Sequence, residues 1–226
     1  MNLLILGRGK TGSLVADVAR ERRHHVQVLA GADNGKAGAL THDFLAPFNA
    51  VIDFTTPAAV VGNIEACIRA RKSIVIGTTG WYDQLPRLRD LALAGNTGLL
   101  YGSNFSIGVN LFFEIVQAAA AAVNFDYSGQ IFERHHAQKK DAPSGTAMVM
   151  QKMIRDSTQR ELEIVSFREG DAVGMHELVF NSAADRIYLC HDAKSRRGFA
   201  EGAVRAAEWL VGKSGVYDFR EIWRQL

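Results

Sequence analysis

The sequence predicts an α/β protein with two parts, a doubly wound parallel sheet followed by an α+β domain that contains an open mixed sheet. Three observations predict this class. Short apolar runs alternate with helical patterns up to residue 101, and a glycine-rich loop follows the first run. After residue 127, longer strand-like runs succeed one another with a single helical segment among them.

The first hundred residues predict strands joined by helices. Bounded apolar runs predict buried strands at residues 2–6, 25–30, 50–54, 73–76 and 98–101. Apolar residues at helical spacing predict helices at residues 12–22, 58–70 and 84–94, and Pro57 suits the first turn of a helix. The polar, glycine-rich stretch 31–38 predicts no regular element. This alternation implies parallel βαβ units.

The pattern changes in the second half of the chain. Strands are predicted at residues 128–135, 161–169, 176–182 and 186–193. Helices are predicted at residues 110–123, 146–157 and 197–211, the last of them amphipathic. Runs of strands with few helices favour an α+β domain.

The composition excludes several classes of protein. The chain has 226 residues, with 26 lysines and arginines against 24 acidic residues and a formal net charge of +2. A protein whose main task is to bind nucleic acid usually carries a concentrated basic surface, so no nucleic-acid partner is expected. A chain of this length can bury a sizeable core without disulfides.

Cysteine use and apolar patterning indicate a soluble, cytoplasmic protein. Cys67 and Cys190 lie far apart, each in an apolar segment, and we expect buried small side chains rather than a disulfide framework or zinc site. The N-terminus lacks the pattern of a secretory signal. No window reaches the roughly 18 uninterrupted apolar residues of a membrane helix, so no membrane partner is expected.

A glycine loop lies between the first predicted strand and the first predicted helix. In dinucleotide-binding loops of this form, Gly7 allows the tight turn, Gly9 lets the pyrophosphate approach the backbone and Gly12 packs helix on strand. The helix N-terminus offers free N–H groups to the phosphates. The loop therefore predicts a Rossmann-type dinucleotide site, the alternative being a glycine turn without a ligand. A triphosphate loop is excluded because Leu4 occupies the position that requires glycine.

The nucleotide preference is left open by the sequence. An acidic residue that binds the ribose 2′-hydroxyl normally ends the second strand, whereas the first acid here is Asp33. Lys10 or Lys36 could instead face a 2′-phosphate, and either could equally be an ordinary solvated side chain. Both NADH and NADPH remain candidates.

A polar cluster at residues 133–147 follows a predicted strand and leads into a predicted helix. Asp141, Pro143 and Ser144 are helix-start signals, so the amides near Gly145 and Thr146 suit a carboxylate. The histidines and lysines just upstream add positive charge and transferable protons. The cluster therefore suits an anionic substrate that gains a proton.

The paired histidines His135 and His136 allow other interpretations. Adjacent residues of a strand face opposite sides, so the pair cannot readily share one metal ion, and no metal site is expected. They could also be partly buried structural histidines.

The cluster resembles the signature of a known enzyme family. Glu133-x-His135-x-x-x-Lys139-x-Asp141-x-Pro143-Ser144-Gly145-Thr146-Ala147 is similar to that of the dihydrodipicolinate reductase family, also called the 4-hydroxy-tetrahydrodipicolinate reductase family. Further matching blocks lie, in order, at the glycine loop and at residues 52–55, 76–80, 104–110 and 199–205. The glycine loop departs from many members in having Lys10 where they have arginine.

The resemblance implies an oxidoreductase that transfers a hydride from NADH or NADPH to a small cyclic dicarboxylate, giving tetrahydrodipicolinate in lysine and diaminopimelate biosynthesis. By matching position, His135 and Lys139 would be the catalytic pair, with Lys139 the proton donor and His135 assisting. The residues around the substrate carboxylates would be His136, Lys140, Gly145 and Thr146.

The resemblance also implies how the chain is divided. Residues 1–104 with 196–226 would bind the dinucleotide, and residues 105–195 would bind substrate and form a homotetramer. The expected cofactor contacts are Gly7, Arg8, Gly9, Lys10, Thr11, Gly12, Asp33, Phe54, Gly77, Thr78, Thr79, Ser103, Asn104 and Phe105. The alternatives are a different amino-acid dehydrogenase on a related frame and a dinucleotide sensor without turnover.

Overall fold

Two units make up the chain in a computed structural model that describes residues 1–226. The first unit comprises Met1–Ile107 and Arg197–Leu226, and the second unit comprises Gly108–Arg196. The chain therefore leaves the first unit once and returns to it through its C-terminal segment.

The first unit is built on a six-stranded parallel sheet. Its strands are β1 (Asn2–Leu6), β2 (His25–Leu29), β3 (Ala50–Asp53), β4 (Ser73–Ile76), β5 (Gly98–Tyr101) and β10 (Gly215–Asp218). They lie in the order β10-β5-β4-β3-β1-β2, with every neighbouring pair parallel. The chain winds outwards from the middle in both directions, so the predicted doubly wound sheet is confirmed.

Helices cover both faces of this sheet. The helices of the unit are α1 (Lys10–Glu21), α2 (His42–Leu45), α3 (Pro57–Arg69), α4 (Leu85–Ala94), α7 (Arg197–Leu210) and α8 (Phe219–Ile222). Ile52 packs with the core on the side of α1 and α7, whereas its neighbour Val51 packs with the core on the side of α3 and α4. Because both faces are covered, the central strands are continuous apolar runs.

The second unit contains a four-stranded mixed sheet. Its strands are β6 (Ser128–His135), β7 (Glu163–Arg168), β8 (Met175–Asn181) and β9 (Arg186–Asp192), in the order β7-β6-β8-β9. The β6–β7 pair is parallel, and the other pairs are antiparallel. The predicted open mixed sheet is therefore confirmed.

One face of the second sheet is covered by α5 (Ile107–Ala119) and α6 (Gly145–Thr158). Ile131, Leu178 and Phe180 point towards these helices and are fully buried. The opposite face is uncovered, and its Phe167 and Tyr188 are 40% and 57% exposed. Glu133 and His135 alternate with Ile131 along β6, which places both side chains on the covered face.

Two expectations from the sequence are corrected by the structure. Cys67 is buried as expected, but Cys190 is exposed, because it lies on the uncovered face of edge strand β9. The strand β10, which pairs with β5, was not predicted. Its four residues are only partly buried and their partner lies far away in the sequence.

The helical segment Ile107–Phe125 is long and apolar enough to cross a membrane by length and composition alone, with a mean hydropathy of 1.4 over its most apolar part. Asn110 and Glu114 interrupt its apolar residues. Val109, Phe112 and Val116 pack in the core of the second unit, as expected for the core helix of a globular domain.

Candidate active site

Close packing leaves no room for a side chain at two of the three glycines in the loop of the first unit. Gly7 has a φ of +102°, and a Cβ there would lie 2.2 Å from the carbonyl oxygen of Phe54. A Cβ at Gly12 would lie 2.3 Å from the carbonyl oxygen of Gly7. At Gly9, by contrast, no atom lies within 4 Å of such a Cβ. Two glycines therefore hold strand, loop and helix together, and the middle one leaves room for a ligand.

The N-terminus of α1 faces this open space. Gly9 is the N-cap residue, no side chain caps the helix, and its first turn contains no acidic residue. A hollow at this helix end is lined by Gly9, Lys10, Thr11, Gly12, Phe54, Thr55, Pro57, Gly77, Thr78 and Thr79. The N–H groups at this helix end face a space that is open because Gly9 has no side chain. Such an arrangement fits the pyrophosphate of a dinucleotide.

The loop that follows β4 forms another wall of the hollow. A Cβ at Gly77 would lie 2.2 Å from the ring of Phe54, so a side chain there would require that ring to move. The Thr78 hydroxyl donates to Asp53 Oδ1 at 2.7 Å, and the Thr78 carbonyl accepts from Trp81 Nε1 at 2.7 Å. Both polar groups of Thr78 are thereby held in place.

Other predicted cofactor residues lie outside this hollow. Asp33 is exposed in the turn after β2, and Arg8 is exposed in the glycine loop. Ser103 is exposed, and Asn104 Oδ1 accepts from the Ser106 amide at 2.9 Å. Phe105 is a core residue, with its ring centroid 4.6 Å from that of Phe219.

The second unit contains a fully buried carboxylate, Glu133. Arg168 donates to both of its oxygens, at 2.6 and 3.0 Å, and the Ser144 amide donates at 3.2 Å. His135 Nδ1 forms a short hydrogen bond with the same group. Burial opposes ionisation of Glu133, but the hydrogen bonds from Arg168, Ser166 and His135 outweigh it and lower its pKa to about 2.

His135 is held in one tautomer by this carboxylate. Because an ionised carboxylate only accepts hydrogen bonds, Nδ1 of His135 carries the proton in that bond. Burial lowers the pKa of His135, against the opposing effect of Glu133, so the ring is neutral near neutral pH. Nε2 packs close to Gly174, where a Cβ would lie only 2.9 Å away. His135 is therefore a buried neutral imidazole with Nε2 as an acceptor.

His136 has a different set of partners. Its Nδ1 lies 3.1 Å from Gln138 Oε1, and its Nε2 lies 3.2 Å from Arg196 Nη2. Since the amide oxygen accepts and the guanidinium donates, these contacts place a proton on Nδ1 and leave Nε2 as an acceptor. Arg196 thus places a guanidinium group beside His136.

Lys139 is paired with Asp141. Its Nζ lies 2.8 Å from each oxygen of that carboxylate. The hydrogen bond from Lys139 holds the pKa of Asp141 below its ordinary value. The neighbouring Lys140 is exposed and forms no ion pair. Arg168 also donates to the Asp141 carbonyl at 2.6 Å, which ties this loop to the buried carboxylate.

Ser144 is the N-cap residue of helix α6, and its Oγ accepts from the Ala147 amide at 3.3 Å. His176 Nε2 lies 3.0 Å from the same hydroxyl. Burial, reinforced by His135, lowers the pKa of His176 to about 3, so His176 is a neutral acceptor of the serine proton. Space above Gly145 is open, and the first turn has no acidic residue. This helix end suits a carboxylate.

Glu133, His135 and His176 also lie close enough to be considered as metal ligands, with one ligand atom from each within 4.8 Å of the others. The sequence did not predict this group. Both oxygens of Glu133, however, already accept from Arg168, and a metal cation would lie beside that guanidinium. We therefore assign the three residues to a hydrogen-bond network.

The two parts of the chain match the two halves of one family. Residues 1–105 match the family model described as dihydrodipicolinate reductase, N-terminus. Residues 108–223 match the one described as dihydrodipicolinate reductase, C-terminus. The chain belongs to the dihydrodipicolinate reductase family. The family predicted from the signature is confirmed.

Relatives in the dihydrodipicolinate reductase family align with almost the whole chain. A 4-hydroxy-tetrahydrodipicolinate reductase of Christiangramia forsetii is 35% identical over 240 residues, which cover 100% of this chain and 99% of the relative. One of Chromobacterium violaceum is 37% identical over 263 residues, covering 98% and 97%. The predicted enzyme class, a nicotinamide-dependent oxidoreductase, is confirmed by this membership.

Solved structures share the fold of this family member. A dihydrodipicolinate reductase from Paenisporosarcina sp. TG-14 with dipicolinate bound has a TM-score of 0.78 at 24% identity, covering 98% of this chain and 99% of that one. An amine dehydrogenase from Mycobacterium smegmatis has a TM-score of 0.64 at 7% identity, covering 97% and 95%. Since an amine dehydrogenase shares this frame at 7% identity, the fold alone does not assign the reaction.

Sequence reasoning missed several residues of this site, namely Arg168, His176 and Arg196 as hydrogen-bond partners and Asp53 as an acceptor. One signal was present for His176, which alternates with Leu178 and Phe180 along a predicted strand. A histidine on an otherwise apolar strand face indicates a buried polar partner. Arg168 carried no comparable signal, because its partner depends on strand pairing.

Proposed function

We propose that this chain reduces 4-hydroxy-tetrahydrodipicolinate (dihydrodipicolinate) to tetrahydrodipicolinate with a hydride from NADH or NADPH, in lysine and diaminopimelate biosynthesis. The observation that carries the proposal is the second-unit cluster. It combines the ammonium group of Lys139, the guanidinium group of Arg196 and the backbone amide of Gly145 in the first turn of α6. Cations and N–H donors grouped in this way suit a dicarboxylate.

Lys139 is the proton donor in this proposal. The 4-hydroxy form first loses its hydroxyl group as water, which gives the ring double bond of the dehydrated form. A hydride then adds to one carbon of that double bond and a proton from Lys139 Nζ adds to the other, so that the double bond gains two electrons and two hydrogens. Negative charge develops on the conjugated diacid as the hydride arrives. Cationic groups already fixed beside it therefore stabilise the transition state more than the ground state.

The other predicted residues divide into binding and assisting roles. His136, Lys140, Gly145 and Thr146 surround the substrate carboxylates in the proposal. His135 assists as a neutral group, because its Nδ1 proton is committed to the buried Glu133. Asp141 orients Lys139 until substrate carboxylates replace it as the partner of the ammonium group.

The first unit supplies the dinucleotide site. The α1 N-terminus and Gly9 hold the pyrophosphate, and the loop after β4 orients the nicotinamide. The bound dinucleotide supplies the hydride. Lys10, Lys36 and Asp33 are all exposed, and none of their side chains forms an ion pair. The two lysines are therefore available to a 2′-phosphate, and Asp33 is available to a 2′-hydroxyl.

We also propose a cytoplasmic homotetramer assembled through the second unit. Its uncovered sheet face carries exposed Phe167 and Tyr188, and such faces are often covered by self-association. Light scattering of the purified protein should give a tetrameric mass. A monomeric mass would contradict the tetramer and leave the catalytic proposal unaffected.

The reaction is tested by following NADH and NADPH oxidation with substrate generated in situ by the synthase that forms it. Consumption that depends on the synthase product supports the reductase, and the two rates give the nucleotide preference. If both dinucleotides bind and neither is oxidised, the reductase assignment fails in favour of a dinucleotide sensor.

A further inference from the structure

The buried carboxylate of the first unit, Asp53, has no role in the proposed function so far. It lies at the end of β3, is fully buried and forms no ion pair. Its oxygens accept instead from neutral donors: the amide and hydroxyl of Thr55 at 2.9 and 2.7 Å, the Thr78 hydroxyl at 2.7 Å and Asn63 Nδ2 at 2.7 Å. Burying a charge without an ion partner costs free energy of folding, so these hydrogen bonds are needed to keep the carboxylate in place.

The carboxylate sets the direction of a hydrogen-bond chain towards the turn that follows β2. Because Asp53 can only accept, the amide nitrogen of Asn63 faces it and the amide oxygen of Asn63 faces Asn34. Asn34 Nδ2 donates to that oxygen at 2.9 Å, and this is the only hydrogen bond of the Asn34 side chain. All three side chains are buried.

Asn34 in turn anchors the turn that follows β2. It joins two short 3₁₀ turns, at Gly31–Asp33 and Gly35–Ala37, that carry the exposed side chains of Asp33 and Lys36. Lys36 has a φ of 50°, so its backbone lies in the left-handed region. The turn that carries these two candidate contacts of the ribose 2′ position is thus fixed to helix α3 through Asn63.

The same carboxylate holds the loop after β4, which orients the nicotinamide in the proposed function. Thr78 donates to Asp53 and accepts from the Thr55 amide at 2.8 Å, so both loops are linked to one oxygen. Thr55 and Thr78 line the hollow at the helix N-terminus. One buried charge therefore connects the turn after β2 with the loops after β3 and β4.

We propose that Asp53, Asn63 and Asn34 form a positioning relay that couples the ribose-side turn to the nicotinamide-side loop. The inference rests on the proposed use of a nicotinamide dinucleotide. The relay touches neither hydride donor nor acceptor, and it acts by keeping two halves of one cofactor site in register. A substitution that weakens the contacts at one end of the relay therefore changes the effect of a substitution at the other end.

Single variants separate the two ends. Thr78→Val removes the shared hydroxyl and keeps the side-chain shape, and kcat should fall about tenfold because the nicotinamide side is misplaced. Thr78→Ser should recover most of the lost rate. Asn34→Ala should raise the dinucleotide KM about fivefold with little effect on kcat. Thr97→Val is the matched control, since Thr97 is buried before β5 and its hydroxyl donates to the Gly95 carbonyl.

The double variant Thr78→Val/Asn34→Ala tests the coupling itself. The combined loss in kcat/KM for the dinucleotide should be at least about threefold smaller than the product of the two single losses. Losses that multiply, or a Thr78→Val variant that behaves like Thr97→Val, would overturn the relay. Calorimetry on the unaltered protein separates the two claims: binding of neither dinucleotide would overturn the proposed function as well.

Discussion

Each unit contains one fully buried carboxylate, and the two are stabilised in different ways. Glu133 in the second unit is paired with the guanidinium of Arg168 and with His135. Asp53 in the first unit is surrounded by hydroxyl and amide donors alone. Removing the charge of Glu133 leaves the guanidinium of Arg168 without an ion partner. Removing the charge of Asp53 affects only neutral donors. Equal burial therefore does not mean equal dependence on charge.

The difference is consistent with the roles proposed for the two sites. In the proposed function, the second unit binds an anionic substrate beside cationic groups, and Arg168, which pairs with Glu133, also donates to the Asp141 carbonyl and so ties its loop to the buried carboxylate. In the same proposal, the first unit binds a phosphate-bearing ligand at a helix N-terminus, where neutral donors hold the loops without adding further cations.

The largest expected effect is that of Glu133→Gln. Loss of the carboxylate leaves Arg168 without its charge partner and should reduce the free energy of unfolding by about 4 kcal/mol. Hydrogen–deuterium exchange should locate the loss in β6–β9. Adding Arg168→Met to Glu133→Gln should restore part of the stability, and a double variant no more stable than Glu133→Gln would contradict the ion-pair interpretation.

A smaller effect is expected for Asp53→Asn. The amide oxygen can replace one acceptor, but the amide nitrogen faces donors, so about 2 kcal/mol of unfolding free energy should be lost. Tryptophan fluorescence reports this directly, because Trp81, Trp209 and Trp223 all lie in the first unit. A loss as large as that of Glu133→Gln would contradict the claim that stability depends less on the charge of Asp53 than on that of Glu133.

The smallest expected effect is a pH dependence of the second unit. His176 has its pKa lowered to about 3 from 6.5 in the unfolded chain, so the unfolded state takes up the proton first as pH falls. Its contribution to stability is complete above pH 6.5 and decreases as pH falls towards 3. Between pH 7 and 5.5 the loss should be roughly 1 kcal/mol. His176→Gln should remove this part of the pH dependence, and an unchanged profile would contradict it.

Much of the fold could be predicted because local pattern determines it. The strand Ser73–Ile76 is an apolar run buried on both faces, and the glycine loop needs glycine at positions where a Cβ would strike the backbone. The edge strand Gly215–Asp218 has neither feature and was missed. Cys190 was wrongly expected to be buried, since its apolar neighbours do not reveal which strand face is covered.

The candidate site was predictable only where its residues are contiguous. Residues 133–147 form one segment, so Lys139 and the start of α6 could be proposed together. Strand pairing brings His176 opposite Glu133 and Arg168 beside His135, and this register is not readable from one sequence. The buried hydrogen-bond network around Glu133 could therefore be identified only from the structure.

The central claim is that Lys139 delivers the proton in a reductase reaction, and turnover of Lys139→Ala tests it most directly. The rate should fall by about 10²–10⁴-fold in the synthase-coupled assay, while calorimetry shows unchanged dinucleotide binding. Lys152→Ala is the matched control, since this exposed lysine on α6 is paired only with Asp156. Near-normal turnover of Lys139→Ala, measured beside that control, would contradict the account.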